Sequence, residues 1–227
     1  MPQKELKVIA HIKTDFPTKF GIPRQSGLID TTAKIIFCDS YRNPDALRGI
    51  EGFSHLWLLW DFSENEKSDW SPTVRPPRLG GNKRMGVFAT RSPFRPNSIG
   101  LSSVKLLSVE KTEKLGTVLV VSGADLLDNT PIYDIKPYIA FTDSHPDAVC
   151  GFSDAVYDYK LRVVIPDNIK SLIPPEKLDA LTEILALDPR PSYQNDANRV
   201  YSFEFSNMHI EFTVNQDTLT VTNLSFL

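Results

Sequence analysis

The sequence predicts a mainly β protein, with a closed or strongly curved sheet first and a small α+β unit after it. Three observations carry this reading. Short runs rich in β-branched and aromatic residues, separated by Gly and Pro, dominate the first two thirds. No long helix alternates with those runs, which argues against a doubly wound sheet. Composition and charge both shift near residues 143–155. We therefore expect two domains, residues 1–148 and residues 149–227.

The elements follow in order. Residues 6–12 alternate apolar and polar, and residues 33–37, 53–62, 86–90, 99–109 and 117–122 also read as strands. Between them, Asn43-Pro44-Asp45-Ala46-Leu47 reads as a short capped helix with Pro at its first position. Asp128-Asn129 marks a turn, and Pro131 opens the next strand. That strand should present Tyr133, Ile135 and Pro137 on one side and Asp134, Lys136 and Tyr138 on the other. Further on, residues 157–165 are strand-like. Residues 175–187 form the best helix, with Pro175 at its start and Leu178, Leu181, Ile184 and Leu185 on one face. Residues 199–205, 208–214 and 219–224 read as a three-stranded meander, with turns at Asn207 and at Asn215-Gln216-Asp217.

The chain has 227 residues, 41% hydrophobic and 23% charged, ordinary values for a globular protein. Cys38 and Cys150 are the only cysteines, too few and too far apart for a disulfide framework or a metal knuckle. His11, His55, His145 and His209 show no metal-ligand spacing, so no metal is expected. The first ten residues carry Lys4, Glu5 and Lys7 and no apolar core of signal length. No apolar run approaches the roughly 18 residues of a membrane span. A cytoplasmic protein is the expectation.

Net charge is −3, yet the charges are unevenly spread. Residues 1–142 carry 19 Lys and Arg against 15 Asp and Glu, and residues 143–227 carry six against 13. Residues 70–109 contain no acid but hold Arg75, Arg78, Lys83, Arg84, Arg91, Arg95 and Lys105. A local basic field of this kind attracts phosphate whatever the net charge.

Four segments concentrate chemistry. Gly21-Ile22-Pro23-Arg24-Gln25-Ser26-Gly27 presents polar side chains from a rigid turn. Residues 74–84 combine Pro76-Pro77, Gly80-Gly81 and four cations, which suits a loop that meets a phosphate backbone. Thr90-Arg91-Ser92-Pro93-Phe94-Arg95-Pro96-Asn97-Ser98-Ile99-Gly100-Leu101 is the sharpest. Two prolines three residues apart freeze a loop that carries two guanidinium groups, and Arg pairs bidentately with phosphate or carboxylate. Residues 125–138 offer three carboxylates, two phenols and a lysine. There, a carboxylate among tyrosines reads either as a base or as the Asp134–Lys136 surface pair. No GxSxG, P-loop or GxGxxG is present, so those hydrolase, NTPase and dehydrogenase readings lack support.

Together the segments 21–27, 52–57, 75–78, 90–101 and 128–138 resemble the TsaA-like family, the tRNA (adenine-37)-N6-methyltransferases also called the TrmO family. The resemblance covers roughly residues 5–145 and rests above all on Thr90 to Leu101. It implies a single-sheet β-barrel that acts as a homodimer and uses S-adenosylmethionine. The implied substrate is tRNA carrying N6-threonylcarbamoyladenosine beside the anticodon, whose N6 receives a methyl group. It also implies that Arg24, Gln25, Ser26, Ser63, Glu64, Arg91, Leu101, Asp128, Asn129, Thr130 and Pro131 surround the cofactor.

Physical reasoning adds roles to these. The cofactor's carboxylate wants a guanidinium, which Arg91 supplies, and its sulfonium wants a carboxylate such as Asp128. The acceptor nitrogen is amide-like and calls for a base, for which Asp134 and Tyr138 are the candidates. Arg75, Arg78, Lys83, Arg84 and Arg95 are the candidates for tRNA phosphates. The rival reading is a non-catalytic barrel that holds RNA or a nucleotide without chemistry.

Overall fold

A computed structural model describes residues 5–64, 70–76, 79, 83–156, 159–190, 194 and 196–227. Its strands are β1 (Ala10–Lys13), β2 (Thr32–Phe37), β3 (His55–Asp61), β4 (Thr73–Val74), β5 (Met85–Gly86), β6 (Ile99–Thr112), β7 (Gly116–Ser122), β8 (Pro131–Pro137), β9 (Arg162–Val164), β10 (Tyr201–Phe205), β11 (Met208–Asn215) and β12 (Thr218–Phe226). The α-helices are α1 (Ala140–Asp143), α2 (Asp167–Lys170) and α3 (Pro175–Ala186). The protein is mainly β.

Six strands form a closed barrel in the order β1-β2-β7-β6-β3-β8, all antiparallel, with β8 pairing back to β1. Period-2 alternation explains its filling. Along β3, Leu56, Leu58 and Trp60 point inward, where they meet Ile12, Ile35, Val104, Leu119 and Val121. Each such aliphatic side chain, once buried, contributes about 1.5–3 kcal/mol. Glycine is required at Gly100, which pairs directly with Trp60, because a Cβ there would lie 2.2 Å from the indole.

The second unit is mostly sheet. Its strand order is β10-β11-β12-β9, three antiparallel strands plus β9, which runs parallel to β12. The expected three-stranded meander is present as β10-β11-β12, and β9, which precedes α3 in the chain, adds a fourth strand beside β12. Helix α3 buries Leu181, Ile184 and Leu185 against Phe203, Phe205, Ile210 and Phe212, with Leu178 at the margin. Ser206 and Gln216 adopt positive φ, 56° each, in the two hairpin turns.

Three expectations need correcting. Residues 86–90 are not a strand: β5 ends at Gly86 and Val87–Ala89 is a 3-10 helix, in spite of its β-prone Val and Phe. The strand expected over residues 157–165 shrinks to Arg162–Val164, with 157 and 158 outside the described residues. In β8, Ile132 and Ile135 both pack against the barrel core, which strict alternation forbids. The β3–β8 register shifts there, from Leu59↔Asp134 to Trp60↔Ile132, so Tyr133 is the extra residue of a bulge. The expected short capped helix over 43–47 is present as a 3-10 turn, Pro44–Leu47, whose Asn43 side chain accepts from the Asp45 N–H at 3.0 Å.

The stretch between β1 and β2 binds the two units together. Phe16 and Ile29 belong to the core of the second unit. Lys177 of α3 pairs with Asp15, and the Ser206 N–H donates to the Asp15 carbonyl at 2.7 Å. Gly21, at φ 93°, lies so close to Phe203 that a Cβ would sit 2.4 Å from the ring.

Candidate active site

At one end of the barrel lies a cavity of about 670 Å³, within the roughly 300–1,000 Å³ usual for small-molecule sites. Five pieces of chain converge on it. The 21–27 turn supplies Arg24 and Gln25, and the end of β3 supplies Trp60, Asp61, Ser63 and Glu64. The 90–95 loop supplies Thr90, Arg91 and Arg95, the start of β6 supplies Gly100 and Leu101, and the β7–β8 connection supplies Asp125 and Thr130.

The 90–98 loop is held by its own hydrogen bonds as well as by its prolines. Arg95 Nη1 donates to the Thr90 carbonyl at 2.6 Å and to the Val87 carbonyl at 3.2 Å. Ser98 Oγ donates to the Pro93 carbonyl at 3.1 Å, and the Phe62 N–H donates to the Ser98 carbonyl at 3.1 Å. With the loop fixed, Arg91 Nη1 donates to Gln25 Oε1 and so links the loop to the 21–27 turn. That turn is fixed in its own way. Arg24 Nη2 donates to the Asp188 carbonyl of the second unit at 3.1 Å, and the Ser103 N–H of β6 donates to Ser26 Oγ at 3.2 Å.

A polar chain runs beside the cavity. Trp60 Nε1 donates to Ser102 Oγ at 2.9 Å, and Ser102 Oγ donates to Asp125 Oδ1 at 2.5 Å. Burial pushes the Asp125 carboxyl above the ordinary carboxylate value; the Ser102 hydrogen bond and the charge of Arg91 pull the other way and do not prevail. On the β3 side, the Tyr133 phenol lies within the influence of the Asp61 carboxylate. Burial first, and the Asp61 charge second, raise the phenol above its ordinary value.

The structure thus gathers Arg24, Gln25, Ser63, Glu64, Arg91, Leu101 and Thr130 around one cavity, and adds Arg95 to its wall. Other residues singled out in the sequence stand behind that wall. Asp128 accepts from the Thr14 N–H at 3.0 Å and pairs with Lys13 at 3.1 Å, and Asn129 takes φ 64° to complete the turn before Pro131. Asp134 pairs with Lys136 at 2.9 Å and accepts from the Ile135 N–H at 3.0 Å. Tyr138 packs on His55 and Trp57. Neither Asp134 nor Tyr138 lines the cavity. Arg75 follows β4 and Arg84 precedes β5 within the hairpin, where Arg84 Nη1 donates to Thr73 Oγ1 at 3.1 Å, and Lys83 is next to Arg84. Arg78 lies outside the described residues.

Sequence reasoning missed Asp61 and Asp125, the two carboxylate side chains that line the cavity beside Glu64. The one available signal for Asp125 was its position between apolar Ala124 and Leu126, which are 1% and 0% exposed. Among the described residues, no helix is long and apolar enough to cross a membrane, and no group of three or more His, Cys, Asp and Glu is placed to hold a metal ion.

The chain's relatives agree with one another. The family model described as the tRNA-methyltransferase O N-terminal domain matches residues 11–144, and that of the TrmO C-terminal domain matches residues 161–227. The tRNA (adenine(37)-N6)-methyltransferase of Escherichia coli K12 is 40% identical over 223 residues, 94% of each chain. The enzyme of the same name from Eikenella corrodens is 49% identical over 164 residues, 71% of this chain and 91% of that one. The crystal structure of TrmO from Pseudomonas aeruginosa superposes with a TM-score of 0.78 at 29% identity and covers 100% of this chain and 99% of the other. The chain belongs to the TrmO family of tRNA methyltransferases.

Proposed function

We propose that this protein transfers a methyl group from S-adenosylmethionine to N6 of adenosine 37 in tRNA. The pairing of opposite charges in one cavity carries the reading, and the names of the relatives support it. Arg91 and Gln25 together with the partly buried Asp125, all lining one cavity, suit a zwitterion that also bears a sulfonium. When bound, the cofactor supplies an electrophilic methyl group and departs as a neutral thioether.

The chain's own residues bind and align. Arg24, Gln25, Ser63, Glu64, Arg91, Leu101 and Thr130 form the cofactor wall, while Ser26, Asp128, Asn129 and Pro131 hold the turns that shape it. The closed barrel end excludes water on one side, and the fixed loops set the approach of the acceptor nitrogen. That nitrogen must lose a proton as its new N–C bond forms. Asp125 and Asp61 stand in the cavity to take it, ahead of Asp134 and Tyr138 behind the wall. Arg75, Lys83 and Arg84 of the hairpin, together with Arg78, take the phosphates, which makes binding salt-dependent.

The finer substrate in this reading is adenosine 37 already bearing an N6-threonylcarbamoyl group. The working form is a cytoplasmic homodimer, with the domain boundary at residues 148–149. Incubating the protein with labelled S-adenosylmethionine and with modified or unmodified tRNA tests the reading. Transfer to the modified tRNA alone is expected. Transfer to both removes the threonylcarbamoyl requirement, and transfer to neither, with tRNA binding intact, leaves a non-catalytic RNA-binding barrel. Sedimentation of the free protein tests the dimer.

A further inference from the structure

Beside the cavity, outside its wall, two aromatic rings face solvent. Trp70 and Phe88 stack with centroids 6.2 Å apart and planes 22° from parallel, yet they stay 49% and 70% exposed. A folded chain gains little by leaving two large apolar rings so open, and exposed apolar patches mark binding surfaces. The pair is also held in place. The Arg95 guanidinium lies 5.6 Å from the Phe88 ring centroid, and the same Arg95 clasps the 90–98 loop and lines the cavity. The Val87 N–H donates to the Pro72 carbonyl at 3.0 Å, and the Ser71 N–H donates to the Phe94 carbonyl at 3.2 Å, so the two aromatic segments are laced together by backbone.

The charge around the pair selects the occupant. The rings stand at the base of the hairpin that carries Arg75, Lys83 and Arg84, within a stretch from 70 to 109 that has no acid. Flat apolar faces with Arg95 beside them, in so basic a stretch, fit an unpaired nucleobase with its phosphates. Single-stranded nucleic acid is recognised in this way, through stacking on aromatic side chains and electrostatic contact to the backbone. We propose that Trp70 and Phe88 form a stacking platform for an unpaired base of the anticodon loop next to the target adenosine. Arg95 joins that platform to the cavity. The proposal rests on the tRNA methyltransferase reading and adds a site to it.

The test uses the full chain and an anticodon stem-loop RNA carrying 2-aminopurine beside adenosine 37. Trp70→Ala and Phe88→Ala should each weaken stem-loop binding about tenfold, the order of one lost stacking contact, and should abolish the quenching of 2-aminopurine. Trp70→Phe and Phe88→Tyr should keep both, and affinity for S-adenosylmethionine should not change in any variant. Circular dichroism melts confirm that each variant folds. Unaltered affinity and quenching in both alanine variants would overturn the platform. An equal loss on a fully paired duplex would also overturn it, since stacking would then not be the cause. Methyl transfer by the unsubstituted protein is scored separately: transfer with unaltered alanine variants sinks the platform alone. Absence of both transfer and RNA binding sinks the platform and the reading together.

Discussion

Two aspartate–arginine combinations in this molecule use the same residue types to opposite ends. In the second unit, Arg190 Nε and Nη2 meet the two oxygens of Asp188 at 2.8 and 3.0 Å, both residues are 7% exposed, and Tyr159 donates to Asp188 as well at 3.1 Å. Burial alone would raise the Asp188 carboxyl, but the Arg190 hydrogen bonds and charge hold it below the ordinary value. At the cavity, Arg91 reaches Gln25 instead, and Asp125 is left with Ser102, so its carboxyl stays raised. A closed fork is a structural clamp. An arginine and an aspartate that line one cavity without forming an ion pair keep charge available for a ligand.

Breaking the closed fork should have the largest effect. Arg190→Ala leaves a buried carboxylate without its main partner and should cost about 3–5 kcal/mol of stability, read as a lower denaturant midpoint. Next comes the open pair. Arg91→Ala should weaken S-adenosylmethionine binding by about 1.5–3 kcal/mol, the scale of a charged hydrogen bond, with little change in melting temperature. Calorimetry that found unaltered affinity would remove Arg91 from the cofactor site.

A smaller effect separates the two carboxylates by pH. Asp188 is depressed, so its contribution is present above the ordinary carboxylate value of 3.8 and is lost as pH falls through its lowered value. Asp125 is raised, so its contribution is present below 3.8 and is lost as pH rises through its raised value. Asp125→Asn should therefore melt higher than the unsubstituted protein at neutral pH, and this gain should fade on acidification while cofactor binding falls. A gain independent of pH would mean that the charge of Asp125 is not what burial penalises. The smallest effect belongs to Asp134→Asn, which removes an exposed pair with Lys136 and should leave the melting temperature nearly unchanged. Its methyl transfer should persist, and loss of activity without loss of affinity would return Asp134 to the chemistry.

What the sequence revealed, and what it hid, follows from the range of the interactions. Leu56, Leu58 and Trp60 announce their inward face locally, as do Leu181, Ile184 and Leu185 on α3. The rigidity of the 90–98 loop was equally visible in Pro93 and Pro96. The bulge at Tyr133 was not, because it exists only in the pairing of β8 with β3. Asp125 looked like one acid among several until ring closure placed it against Ser102 in the cavity that Arg91 also lines. Residues 87–89 misled for a similar reason. Their β-prone side chains serve a 3-10 turn that aims Phe88 outward, where tertiary placement overrides propensity.

The close approach of Gly21 to Phe203 has a consequence for how the protein is made. The turn that carries Arg24 and Gln25 leaves the ribosome early, but the ring that backs it is encoded some 180 residues later. At about 5–20 residues per second this is a wait of roughly 10–35 s. Until then Phe16 and Ile29 lack the sheet half of the second-unit core, Phe203, Phe205, Ile210 and Phe212 among it. A nascent chain stalled before β10 would therefore expose apolar surface and leave the 21–27 turn without the ring that backs it.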